Sequence, residues 1–251
     1  MKRLDRTRSP KPKCLQCLTP KVHKWEDVSN TERSEIRSCL SKVQRGGFCA
    51  YCERRIDIQN SKECIIEHFF PRSSHSDLVF QWDNLFLSCL SGGQKNSSTI
   101  RDKSCGSYKD DSKNHHKHEA ILKPDIDETE KYFYYERFGR IEVTKYAPNR
   151  LKAKSTIDRL NLNSLKLVQS RREVHKYVDD YFQKNHYRAN AQNSTFPEEA
   201  AFFIAYTIQK KGFPSLVLDL VKRLAGPQMV KRAVEKLQEL NPEFYWDFDN
   251  S

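Results

Sequence analysis

The reading of the chain turns on GGFCAYCERRI at residues 46–56, with IIEHFFPRS at 65–73, WDNLFLSC at 82–89 and CGSYKD at 105–110 following it. Glycines ahead of Cys49, and two residues between Cys49 and Cys52, suit the tight turn that brings two thiolates onto one zinc ion. Cys89 and Cys105 supply the other half, so these four cysteines are expected to hold a structural Zn2+. The segment between them, LSGGQKNSSTIRDKS at 90–104, is polar and rich in Gly and Ser, as a surface loop is. Lengthening such a loop costs only about 0.6 kcal/mol per doubling, so a four-cysteine site tolerates it. Cys14 and Cys17 form a second CxxC pair and stand as the rival second half. Cys39 and Cys64 read as small buried residues.

Working outward, residues 1–24 carry Lys2, Arg3, Arg6, Arg8, Lys11, Lys13, Lys21 and Lys24 against Asp5 alone. That is +7 of the formal +11 of the whole chain. Prolines 10, 12 and 20 exclude a continuous helix here, and the stretch reads as a basic arm, either solvated or tracking a phosphate backbone. From Ser29 the pattern changes. Ser29 or Asn30 can cap a helix whose apolar face is Ile36, Leu40 and Val43. Residues 1–44 are thus an arm and a helix, and residues 45–148 are the segment where ligand chemistry concentrates.

Within that segment, KYFYYERFGRIEVTKY at 131–146 reads as a hairpin around Phe138 and Gly139. Residues 149–251 form a mainly helical region, an expected docking surface for a partner. Asn163 or Ser164 can cap a long helix with Val174, Val178, Tyr181 and Phe182 on one face, and further helical patterns run over 197–210, 214–224 and 227–239. The cluster His115, His116 and His118 reads as a solvated helix end.

Composition bounds the alternatives. Hydrophobic residues make up 37% and charged residues 31%, with 14 Phe and 11 Tyr to anchor a modest core, so wholesale disorder is excluded. The basic balance suits a polyanion better than an acidic surface. With no apolar leader and no long apolar run, a soluble cytoplasmic protein with no membrane partner is expected, and clustered cysteines there hold metal rather than form disulfides.

Taken together and in order, CAYCE, IEHFFPRS, NLFLSC and the late CGxxKD resemble an HNH (ββα-metal) endonuclease. The following TIDRLNLNSLKLVQSRR extends the resemblance to PtuB-type HNH nucleases of Septu and retron antiphage systems over roughly residues 45–172. It implies an α+β fold, a zinc-braced ββα-metal core with a mainly helical C-terminal region. It also implies hydrolysis of phosphodiester bonds to a 5′-phosphate and a 3′-hydroxyl.

Cleavage of a phosphodiester needs a base for the attacking water and a countercharge for the phosphoryl and leaving oxygens. His68, with an ordinary pKa of about 6.5, suits the first task. Neighbours on a strand face opposite ways, so Glu67 and His68 can divide the work. By resemblance Glu67 and Asp110 are ligands of the catalytic metal, and Asn84 braces the loop that orients the histidine. Lys109 and Arg72 flank the site and are candidates to grip the phosphate backbone. Many HNH enzymes carry His or Asn directly after the last cysteine; this chain has Gly106, which leaves Asp110 without a co-ligand on its helix face. Two carboxylates without imidazole favour Mg2+ or Mn2+ over Zn2+ or Ni2+ at that site.

The resemblance further implies partners: a PtuA-type ATPase and, in some systems, a retron reverse transcriptase with its multicopy single-stranded DNA (msDNA). DNA and RNA substrates, including structured RNA such as tRNA, are both open, because the chemistry needs no 2′-hydroxyl. The rival from another class is a non-catalytic zinc-braced nucleic-acid-binding or scaffold module, with Gly106 as its first mark.

Overall fold

The helix that begins at Asn30 shows how closely local signals and structure agree. In the computed structural model, which describes residues 1–90, 103–110, 120–189 and 195–248, α2 spans Asn30–Val43 after a short α1 at Lys13–Gln16. Ser29 Oγ accepts from the Glu32 amide at 3.3 Å while the Glu32 carboxylate accepts from the Ser29 amide at 2.7 Å, a reciprocal cap. Ile36, Leu40 and Val43 are fully buried, as their spacing predicts.

Two small antiparallel sheets follow. β1 (Cys64–His68) pairs with β2 (Leu85–Cys89) in the register Cys64 to Cys89 and His68 to Leu85. A single-turn helix, α3 (Gly106–Lys109), starts directly after Cys105. β3 (Phe133–Tyr135) and β4 (Ile141–Val143) form the expected hairpin. Gly139 in its turn has φ 87°, and a Cβ there would meet the Val168 carbonyl oxygen at 2.2 Å, so only glycine lets the turn press against the long helix that carries Val168.

The helical region consists of α4 (Arg150–Arg159), α5 (Leu165–Ala189), α6 (Phe196–Lys211) and α7 (Pro214–Leu240). α5 buries Val174, Val178 and Phe182, the stripe read from the sequence, and packs on α7. The two helical patterns at 214–224 and 227–239 are both present within α7, separated by a break at Gly226, whose φ of 80° is non-helical and which precedes Pro227, a residue with no N–H to continue the ladder. No helix among the described residues is long and apolar enough to cross a membrane.

The basic N-terminal stretch does not behave as a solvated arm over its first nine residues. Met1 and Leu4 are buried, and the Leu4 amide donates to the Pro124 carbonyl at 2.8 Å. Arg6 pairs with Asp125 at 2.7 Å, donates to the Trp82 and Leu85 carbonyls at 3.0 and 2.9 Å, and lies 4.4 Å over the Phe86 ring. Its charge is thus spent on bracing β2, because a guanidinium's fixed fork of donors satisfies several acceptors at once.

Contacts also run between the cysteine turn and the helical region. Glu53 accepts from the Lys2 amide at 3.1 Å, from the Ser215 hydroxyl at 2.7 Å and from the Ser215 amide at 3.2 Å, where its carboxylate sits at the positive end of α7. Gly212, at the end of α6, would place a Cβ 2.3 Å from the Arg55 amide nitrogen. The polar loop at 90–104 lies mostly outside the described residues, and His115, His116 and His118 lie wholly outside them.

Candidate metal centre and adjoining polar site

Three segments far apart in sequence bring four thiols together. Cys49 and Cys52 come from the turn after α2, Cys89 ends β2, and Cys105 precedes α3; all four are buried and their sulfurs lie within 4.8 Å of one another. The Cys52 and Cys89 sulfurs are 3.7 Å apart. Sulfurs at about 2.3 Å from a tetrahedral zinc lie about 3.8 Å apart, so the spacing fits the ion. Burial opposes ionisation of Cys49, yet bonds from Cys105, Cys52 and Cys89 hold its thiol well below the usual range, while burial and its bond to Cys49 push Cys105 well up. Zn2+ held by these four sulfurs would take the place of the shared protons and offset two of the four thiolate charges. Cys14 is half-buried and Cys17 exposed, and neither belongs to the cluster.

The late motif explains how Cys105 is held. Its φ of 57° lies in the left-handed region that non-glycine residues avoid. Its amide donates to the Leu160 carbonyl at 2.7 Å, and the Asn161 side chain donates to the Lys103 carbonyl at 2.8 Å. TIDRLNLN therefore clamps the fourth cysteine from the far side.

Beside the cluster, Glu67 is sealed from solvent. The Lys109 ammonium lies 2.6 Å from its Oε1, and the Tyr51 hydroxyl donates to its Oε2. Lys109 also pairs with Asp110 at 2.8 Å and donates to the His68 and Phe69 carbonyls at 2.8 and 3.0 Å. Burial pushes the Glu67 carboxyl up; burial likewise works against the Lys109 charge, but the two carboxylates outweigh it and hold the ammonium charged. Lys109 is therefore not a surface grip for phosphate. It fills the space between the two carboxylates expected to share a divalent ion, and both Glu67 oxygens are already engaged. As folded, this pair does not fit Mg2+ or Mn2+.

Gly106 takes on a different meaning in this setting. A Cβ there would sit 2.6 Å from Glu67 Cγ and 3.0 Å from Ser88 Oγ, and the Gly106 amide donates to that same hydroxyl at 3.0 Å. The missing side chain is what lets α3 lie flat on β1 and β2.

His68 points the other way. Its Nε2 is 3.0 Å from the Val79 carbonyl oxygen, and the Trp25 ring meets it edge-on at 4.6 Å. A carbonyl only accepts, so Nε2 carries the proton and Nδ1 keeps its lone pair. Burial pushes the imidazole pKa down to about 4. Asn84 accepts from the Phe70 amide at 2.8 Å and donates to the Phe70 and Leu78 carbonyls at 3.1 Å, tying down the loop whose next carbonyl, Val79, holds His68. Arg72 is exposed and paired with Glu26 at 2.6 Å. Tyr51 and Trp25 escaped the sequence reading. Tyr51 stands inside the CAYC turn, where its position between two ligands was the available signal; nothing local marks Trp25.

No protein-family model matches the chain. Among curated proteins, the chain is 34% identical over 120 residues to the Septu protein PtuB of Bacillus thuringiensis, covering 47% of this chain and 37% of that protein. The comparison therefore spans well under half the length of the relative. Over those 120 residues the chain is similar to that Septu protein.

Proposed function

We propose that the chain is an HNH-type endonuclease that hydrolyses phosphodiester bonds in an antiphage defence system. The observation that carries this reading is that Glu67 and His68 end β1, Asn84 fixes the loop whose Val79 carbonyl holds the His68 ring, and Lys109 and Asp110 at the end of α3 reach the same strand through the contacts of Lys109 to Glu67 and to the His68 carbonyl. His68 is neutral at neutral pH, and with Nε2–H held by Val79 its Nδ1 takes the proton from the attacking water. Asn84 keeps that loop, and with it the imidazole, in place. Glu67 and Asp110 are the carboxylates that would hold a divalent ion, but the Lys109 ammonium lies between them as folded, so no step is routed through an ion. A PtuA-type ATPase, and in some settings a retron reverse transcriptase with its msDNA, are the proposed partners.

A second reading has a specific observation behind it. The Lys109 ion pair and the burial of His68 also suit a zinc-braced nucleic-acid-binding module without cleavage. Incubating matched DNA and RNA pools with Mg2+ or Mn2+, with and without the ATPase, decides between them. Cleavage lost in His68→Ala at unchanged zinc content supports the nuclease; identical wild-type and variant digests favour the module.

A further inference from the structure

A cavity of about 960 Å3 opens where the cysteine turn meets the helical region. Arg54 and Arg55 line it from the turn, Lys166 from the start of α5, and Lys210 and Lys211 from the end of α6. Against these five cations stand Glu63 and Glu173. The Arg55 guanidinium is bound to the Gly46 and Gly47 carbonyls. The other four enter no ion pair among the described residues. Such an excess of one sign on the walls of a concavity focuses the field and gathers counterions.

We infer that this cleft binds the phosphodiester backbone of a nucleic-acid strand. Three of the four available cations are lysines, point charges that suit a string of phosphates, and the fourth, Arg54, offers a fork that takes a phosphate side-on. The cations stand on three different elements, so they can meet successive phosphates rather than one anion. Tyr177, half exposed and 5.0 Å from Phe203, lines the same cavity and offers a ring face to a base.

The cleft adjoins the Cys64 and Cys89 end of the sheet, whereas His68 and Leu85 form the other end. Four strand residues at about 3.3 Å each put about 13 Å between the two ends. The cleft is thus a binding site separate from the proposed catalytic residues, and the inference stands whether or not the chain cleaves.

The test is fluorescence anisotropy of the full chain with a labelled single strand of about 20 nucleotides, over a salt series, without added divalent metal and without chelator, which would strip zinc. Lys166→Glu/Lys211→Glu should bind at least about 10-fold more weakly than wild type. Its plot of log K against log salt should flatten by about 1.4, the loss of two phosphate contacts on a single strand. Lys222→Glu/Lys231→Glu makes the same change of charge on exposed lysines of α7 outside the cleft and should lose less than about threefold. Unchanged zinc content and melting temperature establish that each variant is folded. Equal weakening by the two pairs, or no weakening by the first, overturns the inference. Tighter binding of a polyglutamate chain than of the oligonucleotide overturns the assignment to nucleic acid.

Discussion

The Lys109 ammonium lies 2.6 Å from the Glu67 carboxylate, and neither side chain is exposed to solvent. A buried charge stripped of its partner costs far more than the pair contributes, so Lys109→Met should destabilise the fold by about 3 to 5 kcal/mol in urea titration. Glu67→Leu/Lys109→Met, which removes both charges, should recover most of that loss. In Lys109→Met, Glu67 and Asp110 are freed of the ammonium, and added Mn2+ should then raise the melting temperature more than it does for wild type.

Gly106→Asn restores the residue that many HNH enzymes carry after the last cysteine. Because its Cβ would fall 2.6 Å from Glu67 Cγ, it should destabilise by about 1 to 3 kcal/mol and not improve any metal response. A thermal melt of the variant that matches wild type would refute the packing role of the glycine.

Zinc content separates the two candidate cysteine sets. Cys105→Ser should release the metal and lower stability sharply, whereas Cys14→Ser and Cys17→Ser should retain it, as only Cys49, Cys52, Cys89 and Cys105 converge among the described residues. Metal analysis of the purified variants reads this directly.

His68 should make stability depend on acid. Its pKa falls from 6.5 to about 4 on folding, so between those values the unfolded chain binds more protons than the native one. Its contribution is complete above pH 6.5 and is lost as pH falls towards 4, in total about 3 kcal/mol. The difference between wild type and His68→Gln in urea titrations at pH 7 and pH 4.5 isolates it; a constant difference would count against the buried neutral imidazole.

Arg6→Ala tests whether the N-terminal strap braces the sheet. It strands Asp125 and two carbonyls of the β2 entry, so a loss of about 2 to 3 kcal/mol is expected, together with a change in the near-ultraviolet circular dichroism of Trp82 and Phe86.

Much of the local structure was legible beforehand. Ser29 with Glu32, the Ile36, Leu40 and Val43 stripe, the turn at Gly139 and the long apolar face of α5 are signals carried within a few residues of one another, and each produced the element it predicts. The four-cysteine set was expected as well, with Cys14 and Cys17 as rivals for its second half, and the convergence of Cys89 and Cys105 on the CxxC turn decides between them. The expectation of a solvated arm failed at Arg6 because a run of basic residues says nothing about which buried acceptors lie within reach.

By itself, then, the sequence determined the helices, the hairpin and the Cys49 and Cys52 half of the cysteine cluster, because capping, periodicity and ligand spacing act over one or two turns of chain, whereas convergence in space selected Cys89 and Cys105 over Cys14 and Cys17. Tertiary structure alone decided that Lys109 faces Glu67, that Gly106 is a packing surface, that Leu160 holds Cys105, and that cations from three elements line one cleft. Those relations join segments distant in the chain, and in a buried site the outcome rests on which charge meets which partner once water is gone.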